Sequence, residues 1–219
     1  MPEKSHAEVP FAFLEYRATF KDPIFEAWDK HGAIVRAAYN AFRGWNINLE
    51  NISGKQQPAN AGEIQVTFNL LNGRVLFNVG LGFASIFVTN PSWEEAELIT
   101  RLARSGMEAV RDSAKAEIEK QLITLAMHLK PEGRSIRELT SQFVRTDVLG
   151  VMGNKVRAYG FSVYQENSLW VVDASALYPD ALFARITRTF GPAIPFEEIA
   201  AGLRKDEDNL LELLELRVD

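Results

Sequence analysis

Alternating apolar and polar residues predict several strands in the first half of the chain. In residues 11–20, apolar side chains occupy every second position and Glu15, Arg17 and Thr19 lie between them, which is typical of a half-buried strand. Residues 53–62 have the composition of a loop. The same alternation predicts further strands at residues 45–50, 64–70 and 75–81.

Two segments, residues 68–79 and 161–172, share a strand–turn–strand pattern. The first contains Asn72-Gly73, a pair favoured in tight hairpins because a type I′ turn needs a positive φ at both central residues. Aligning the segments places apolar residues together, namely Phe68 with Phe161 and Phe77 with Trp170. This similarity predicts two related strand–helix–hairpin–helix units, although two amphipathic hairpins can also resemble each other by chance.

Apolar residues three or four positions apart predict helices between the strands. Asp22 has a residue type favoured at a helix start, and the apolar stripe that follows it continues to about Phe42. Ser92 and Glu95 form a capping box, which predicts a long helix ending near Lys120. Further helices are predicted at residues 135–144 and 195–216.

This order of elements predicts an α+β fold, with a mainly antiparallel sheet and helices packed on one face. We interpret residues 122–129 as a strand, whereas residues 178–190 are compatible with either a helix or a strand. The expected organisation is a disordered N-terminal tail at 1–10, a first α+β unit at 11–121 and a second unit at 122–219 that shares its core.

Composition and charge narrow the class of protein. The chain has 219 residues, 47% of them hydrophobic, which is enough for a sizeable core. Its net charge of −5 argues against broad nucleic-acid binding, which needs a basic surface. It has no cysteine, which excludes disulfides and thiolate chemistry. With no apolar signal region and no run long enough to span a membrane, we expect a soluble cytoplasmic protein without membrane partners.

The sequence contains no recognisable catalytic, cofactor or metal motif. The three histidines are far apart in sequence and lack a second ligand at helical spacing: His6, His31 and His128. The sequence thus favours a non-enzymatic protein, with no catalytic residue, metal site or cofactor predicted. A weaker alternative is a metal-independent enzyme that uses carboxylates outside the helical polar faces, for which the candidates are Glu15, Glu50 and Asp173.

The polar sides of the predicted strands are rich in uncharged groups. The members of this amide-rich set are Asn46, Asn48, Gln65, Thr67, Asn69 and Asn78. Amides and hydroxyls are cheaper to bury against a partner than charges, provided that they form hydrogen bonds. The set therefore predicts a binding or assembly protein that uses this face, or a groove between the two units, to contact another protein or itself. The alternative is an ordinary solvated sheet face.

A second function remains open on sequence grounds. Duplicated α+β units often leave a concave site where they meet, and such junctions favour ligand pockets. The aromatic residues that could line a small-molecule pocket there are Trp45, Tyr159, Phe161 and Trp170. The simpler interpretation of these residues is packing in the hydrophobic core.

Overall fold

The computed structural model describes residues 4–25, 31–54, 63–145 and 156–218. Its helices are α1 (His31–Phe42), α2 (Ala96–Ala114), α3 (Ile136–Ser141) and α4 (Phe196–Leu213). Its strands are β1 (Ser5–Phe20), β2 (Ile52–Gly54), β3 (Gln65–Leu70), β4 (Val75–Gly80), β5 (Phe83–Thr89), β6 (Ile118–Pro131), β7 (Phe161–Tyr164), β8 (Ser168–Ala174), β9 (Leu182–Phe190) and β10 (Leu216–Arg217). The predicted α+β class is confirmed.

Hydrogen-bonded strands follow the order β2-β3-β4-β5-β1-β6-β9-β8-β7, and β10 pairs with β1 in parallel. The chain divides into two compact units. Unit A comprises Phe13–Ile123 and Thr189–Ala200. Unit B comprises Met1–Ala12, Thr124–Arg188 and Ala201–Asp219. The change between Ile123 and Thr124 lies close to the expected boundary at residue 122, but each unit also takes a segment from the other half of the chain.

In unit A, α1 and α2 pack on one face of the sheet. The rings of Phe42 on α1 and Phe68 and Phe77 on the strands are fully buried and contact one another, with centroids 5.1–6.2 Å apart. Gly106 lets α2 approach closely, because a Cβ there would lie 2.6 Å from the Phe77 ring and 2.8 Å from the Phe42 ring. The apolar side of the predicted strands is therefore the side that the helices cover.

A buried polar network holds residues 189–200 in unit A. The Tyr16 hydroxyl donates to Gln121 Oε1 at 2.6 Å. Gln121 Nε2 donates to the carbonyls of Gly191 and Ile194 at 2.8 and 2.9 Å. Burial raises the pKa of Tyr16 above its ordinary range. The neutral phenol therefore acts as a stable hydrogen-bond donor that orders this loop.

The N-terminal residues, predicted as a disordered tail, are part of β1 from Ser5 onward. The Ser5 N–H donates to the Glu215 carbonyl at 3.0 Å, and the His6 carbonyl accepts from the Glu132 N–H at 2.8 Å. Ala7 is 1% exposed. The prediction of a tail was wrong for residues 5–10, because their polar sequence gives no sign of the distant backbone partners that order them.

Two further expectations are corrected. The residues around 45–50 form short 3₁₀ turns rather than a strand, and the strand that follows begins only at Ile52. Helix α2 ends at Ala114 instead of near residue 120, because Lys115 adopts a left-handed conformation with φ 51°. The ambiguous residues 178–190 contain β9, and the expected strand at 122–129 is confirmed within β6. Most of the loop predicted at 53–62 lies outside the described residues.

The two hairpins that resemble each other in sequence differ in pairing register. In β3–β4, Phe68 lies directly opposite Phe77. The alignment matches these residues with Phe161 and Trp170, so equivalent hairpins would pair Phe161 with Trp170. In β7–β8, however, Phe161 lies opposite Val172. The aligned residues are therefore not equivalent positions of the two ladders. Apart from the short strand β2, which has no counterpart among the described elements of the second half, the order strand, helix, hairpin, strand, helix occurs twice. The duplication itself stays a hypothesis.

Candidate interaction face

Three of the six predicted binding residues form a hydrogen-bonded cluster on one face of the unit A sheet. Thr67 Oγ1 donates to Asn78 Oδ1 at 2.7 Å. Gln65 Nε2 donates to Thr67 Oγ1 at 3.2 Å and to Asn78 Oδ1 at 3.0 Å. Thr67 and Asn78 are ladder partners on β3 and β4, which explains why these side chains meet. All three are half-buried, and we call this group the amide cluster.

The remaining three predicted residues lie elsewhere. Asn69 shares the face of the cluster, two residues beyond Thr67 on β3, and is exposed. Asn46 adopts a left-handed conformation with φ 61° at the end of a 3₁₀ turn. Asn48 caps the next turn, where its side chain accepts from the Glu50 N–H at 3.1 Å. Asn46 and Asn48 therefore serve local turns and are not part of the sheet face, because the alternation from which they were predicted is not a strand.

The amide cluster keeps unused hydrogen-bonding capacity. Asn78 Oδ1 and both Nε2 hydrogens of Gln65 are engaged within the cluster. Gln65 Oε1 and Asn78 Nδ2 form no hydrogen bond with the described residues. The cluster therefore offers an acceptor and a donor side by side on a half-buried surface, the same combination that a peptide group presents.

The strand register extends this face across β5 and β1. One row runs from Thr67 through Asn78 and Ser85 to Arg17, and the next runs from Asn69 through Leu76 and Phe87 to Glu15. Both charged residues lie on β1, at one side of the face. We call the surface formed by these two rows, in which only Ser85 is buried, and by the adjacent Phe13 and Phe83 the polar face.

Aromatic rings pack beside the charges of the polar face. Phe13 and Phe87 stack with centroids 5.3 Å apart and an interplanar angle of 25°. The Arg17 guanidinium lies 3.9 Å from the centroid of the Phe83 ring. The contact with Phe83 orients the half-buried Arg17 side chain. The face thus combines flat apolar area, amides and one charge of each sign.

Unit B contains a second polar cluster, which is buried. Asp206 on α4 is 2% exposed and accepts from Ser168 Oγ at 3.0 Å and from Arg188 Nη1 at 2.9 Å. The Trp170 indole N–H donates to Ser168 Oγ at 3.0 Å. Sequence reasoning missed this network. Its members are far apart in sequence, and Asp206 lies within an acidic helix where a solvated position is the ordinary expectation.

His128 and Ser175 form a second buried pair in unit B. His128 Nδ1 lies 2.8 Å from Ser175 Oγ. The same oxygen accepts hydrogen bonds from the Leu177 and Tyr178 N–H groups at 3.1 and 2.9 Å. The hydroxyl therefore donates to the imidazole. Burial lowers the pKa of His128. Because Ser175 is 1% exposed and holds a backbone turn, the pair stabilises structure and does not present a nucleophile.

The other candidate residues of the sequence do not assemble into a site. Among the described residues, no group of three or more His, Cys, Asp or Glu side chains is arranged to hold a metal ion. Glu50 lies in a 3₁₀ turn, and exposed Asp173 accepts from the N–H of the next residue. Of the aromatic set, Trp170 and Tyr159 are buried core residues, whereas Trp45 and Phe161 are half-buried.

No family model matches the chain, and no curated protein matches it. Within the described ranges, no helix is long and apolar enough to cross a membrane.

Proposed function

We propose that this protein is a non-enzymatic binding or assembly module that contacts a protein partner through the polar face of unit A. The observation that supports this proposal most strongly is the amide cluster. Three uncharged side chains are held together by hydrogen bonds on a half-buried surface, and they still offer Gln65 Oε1 as an acceptor and Asn78 Nδ2 as a donor.

The physical chemistry of the cluster suits a protein interface. Charged groups must shed strongly bound water on association, whereas an amide that regains a hydrogen bond loses much less. The existing hydrogen bonds fix the side-chain conformations of Gln65, Thr67 and Asn78 before binding. Less conformational entropy is then lost when a partner binds. The aromatic area of Phe13 and Phe87 beside the cluster supplies the apolar contact that interfaces need.

Site-specific photo-crosslinking in the native host tests the proposal with the full chain. The photoreactive residue p-benzoylphenylalanine replaces Asn69, which is exposed on the polar face, or Leu76, its half-buried ladder partner. The matched control places the same residue at Glu108, an exposed position on α2. We expect discrete protein adducts from positions 69 and 76 and none from position 108.

A second substitution separates specific binding from incidental contact. Asn78→Lys places a charge in the amide cluster and should abolish the adduct formed from position 69, whereas Asn40→Lys, at an exposed position on α1, should leave it unchanged. Circular dichroism and a thermal melt establish that both variants fold. Absence of adducts from both face positions, or adducts that survive Asn78→Lys, would contradict the proposal.

A further inference from the structure

The two charges of the polar face have an unusual arrangement. Glu15 and Arg17 are two residues apart on β1, so their side chains leave the same side of the strand about 7 Å apart. Both are half-buried. Within the described residues neither takes part in an ion pair, and the contact found for Arg17 is with the Phe83 ring. Both charges are therefore available for an ion pair with a second molecule, and partial burial makes such a pair stronger than one in open water.

The chemistry of the polar face is self-complementary. In an interface with two-fold symmetry, each contact occurs twice, because residue i meets residue j of the partner and j meets i. An axis passing between Glu15 and Arg17 would place each charge opposite its counterpart in the second copy. The same axis places the row of the amide cluster opposite the Asn69–Leu76 row of the second copy, where the open donor and acceptor of the cluster can bind the Asn69 amide. A partner with a single sign of charge would satisfy only one of the two ions.

We infer that the partner of the polar face is a second copy of this chain, bound through reciprocal Glu15–Arg17 ion pairs across a two-fold axis. This inference rests on the proposed function of that face and adds the identity of the partner. The stacked Phe13 and Phe87 rings, which the register places next to Glu15, supply apolar area beside the ion pairs. They also shield the ion pairs from water, which strengthens the attraction.

Charge reversal gives a direct test by analytical ultracentrifugation of the full chain. The wild type should form a dimer. Glu15→Arg and Arg17→Glu should each be monomeric, with at least about a tenfold loss of affinity, because like charges then meet twice across the axis. Mixing the two monomeric variants should give a heterodimer, since every Arg of one chain then faces a Glu of the other. The double variant Glu15→Arg/Arg17→Glu should again form a homodimer.

Matched controls carry the same changes of charge away from the face. Glu108→Arg on α2 and Arg36→Glu on α1 are exposed and should remain dimeric. Thermal melts of all variants show whether the chains are folded. If a reversal variant fails to fold, the milder pair Glu15→Gln and Arg17→Gln replaces it. Each should weaken the dimer, and mixing the two should restore part of the affinity, because the heterodimer regains one of the two ion pairs.

The outcomes separate this inference from the proposed function. A wild type that stays monomeric up to about 100 µM would overturn the inference. So would a dimer that is indifferent to both reversals. If photo-crosslinking at position 69 then gives an adduct with a different protein, the proposed function stands without the dimer. If neither assay detects an interaction through the face, both proposals fail.

Discussion

The amide cluster of unit A and the Asp206 cluster of unit B differ in both charge and burial. The amide cluster of unit A contains only uncharged side chains and is half-buried. The cluster around Asp206 in unit B contains an ion pair between a buried carboxylate and a half-buried guanidinium, with the Asp206 side chain 3% and the Arg188 side chain 30% exposed. The first has hydrogen-bonding groups left over. Both carboxylate oxygens of Asp206, in contrast, accept a hydrogen bond within the chain.

This difference illustrates two uses of polar residues in one chain. A buried carboxylate is tolerated only when hydrogen-bond donors compensate its charge, so the contacts of Asp206 with Ser168 and Arg188 contribute to the stability of unit B. A half-exposed amide costs little in the free chain and keeps its remaining capacity for another molecule. Substitutions should therefore affect stability strongly in unit B and weakly in the amide cluster.

The largest effect is expected when the buried ion pair is broken. Asp206→Ala removes the carboxylate that Ser168 and Arg188 contact and should lower the free energy of unfolding by about 3 kcal/mol. Urea denaturation measures this change. Asp208→Ala, at an exposed position on the same helix, should change stability very little. Equal effects of the two substitutions would mean that the Asp206 network does not stabilise the fold.

The apolar core of unit A provides a reference, because substitutions there change stability without removing a polar contact. Gly106→Ala places a Cβ within 2.6 Å of the Phe77 ring and should destabilise the protein by about 2 kcal/mol through overpacking. Gly32→Ala in α1 meets nothing within 4 Å. It should instead stabilise by roughly 0.5–1 kcal/mol, because alanine favours the helix. Thermal or urea melts that show the same sign for both would contradict the packing described for α2.

Sequence patterns predicted local features of the fold well. The alternation in residues 11–20 and 64–70 correctly placed the core side of the sheet of unit A, because a half-buried strand repeats every two residues. The positive φ values predicted at Asn72 and Gly73 are confirmed, at 56° and 89°. The Ser92 cap is confirmed, because its side chain accepts from the Glu94 N–H. Each of these features depends on neighbours in sequence.

The features that sequence reasoning missed depend on distant residues. The N-terminal strand residues are ordered by backbone bonds to positions more than 100 residues away. Glu95, expected to complete a capping box, instead pairs with Arg74 across 21 residues. Asn46 and Asn48 show the reverse error, because short-range alternation also occurs in turns. The amide cluster could be predicted in part, since Gln65, Thr67 and Asn78 lie in genuine strands, but the pairing that joins them needed the register.

Protonation of a buried side chain should change the stability of unit B by a smaller amount. Burial lowers the pKa of His128 from its ordinary 6.5, so the unfolded chain takes up a proton at a higher pH than the folded chain does. Stability is therefore full above pH 6.5 and falls as the pH decreases below it, by at most about 1.4 kcal/mol per pH unit. Urea melts between pH 7.5 and 5.5 should show this decline.

Substitution of single histidines shows which residue causes the loss of stability at low pH. His128→Gln should flatten it, whereas His6→Gln, which leaves the buried imidazole in place, should preserve it. A decline that is unchanged in His128→Gln would show that other groups cause it.

The smallest effect on stability is expected in the amide cluster. Its size shows whether the cluster serves the fold or the binding of a partner. Thr67→Val keeps the shape of the side chain and removes the hydroxyl that donates to Asn78 Oδ1. Because the cluster is half-buried, water can replace this bond, and the free energy of unfolding should fall by only about 0.5 kcal/mol. Ser168→Ala deprives the buried Asp206 carboxylate and the Trp170 N–H of their shared partner, so it should cost roughly 1–3 kcal/mol. If Thr67→Val costs as much as Ser168→Ala, the amide cluster serves the fold of unit A, and its open donor and acceptor lose their significance for binding. If the cost is small while the photo-adduct from position 69 is weakened, the cluster is retained for the partner and not for the fold.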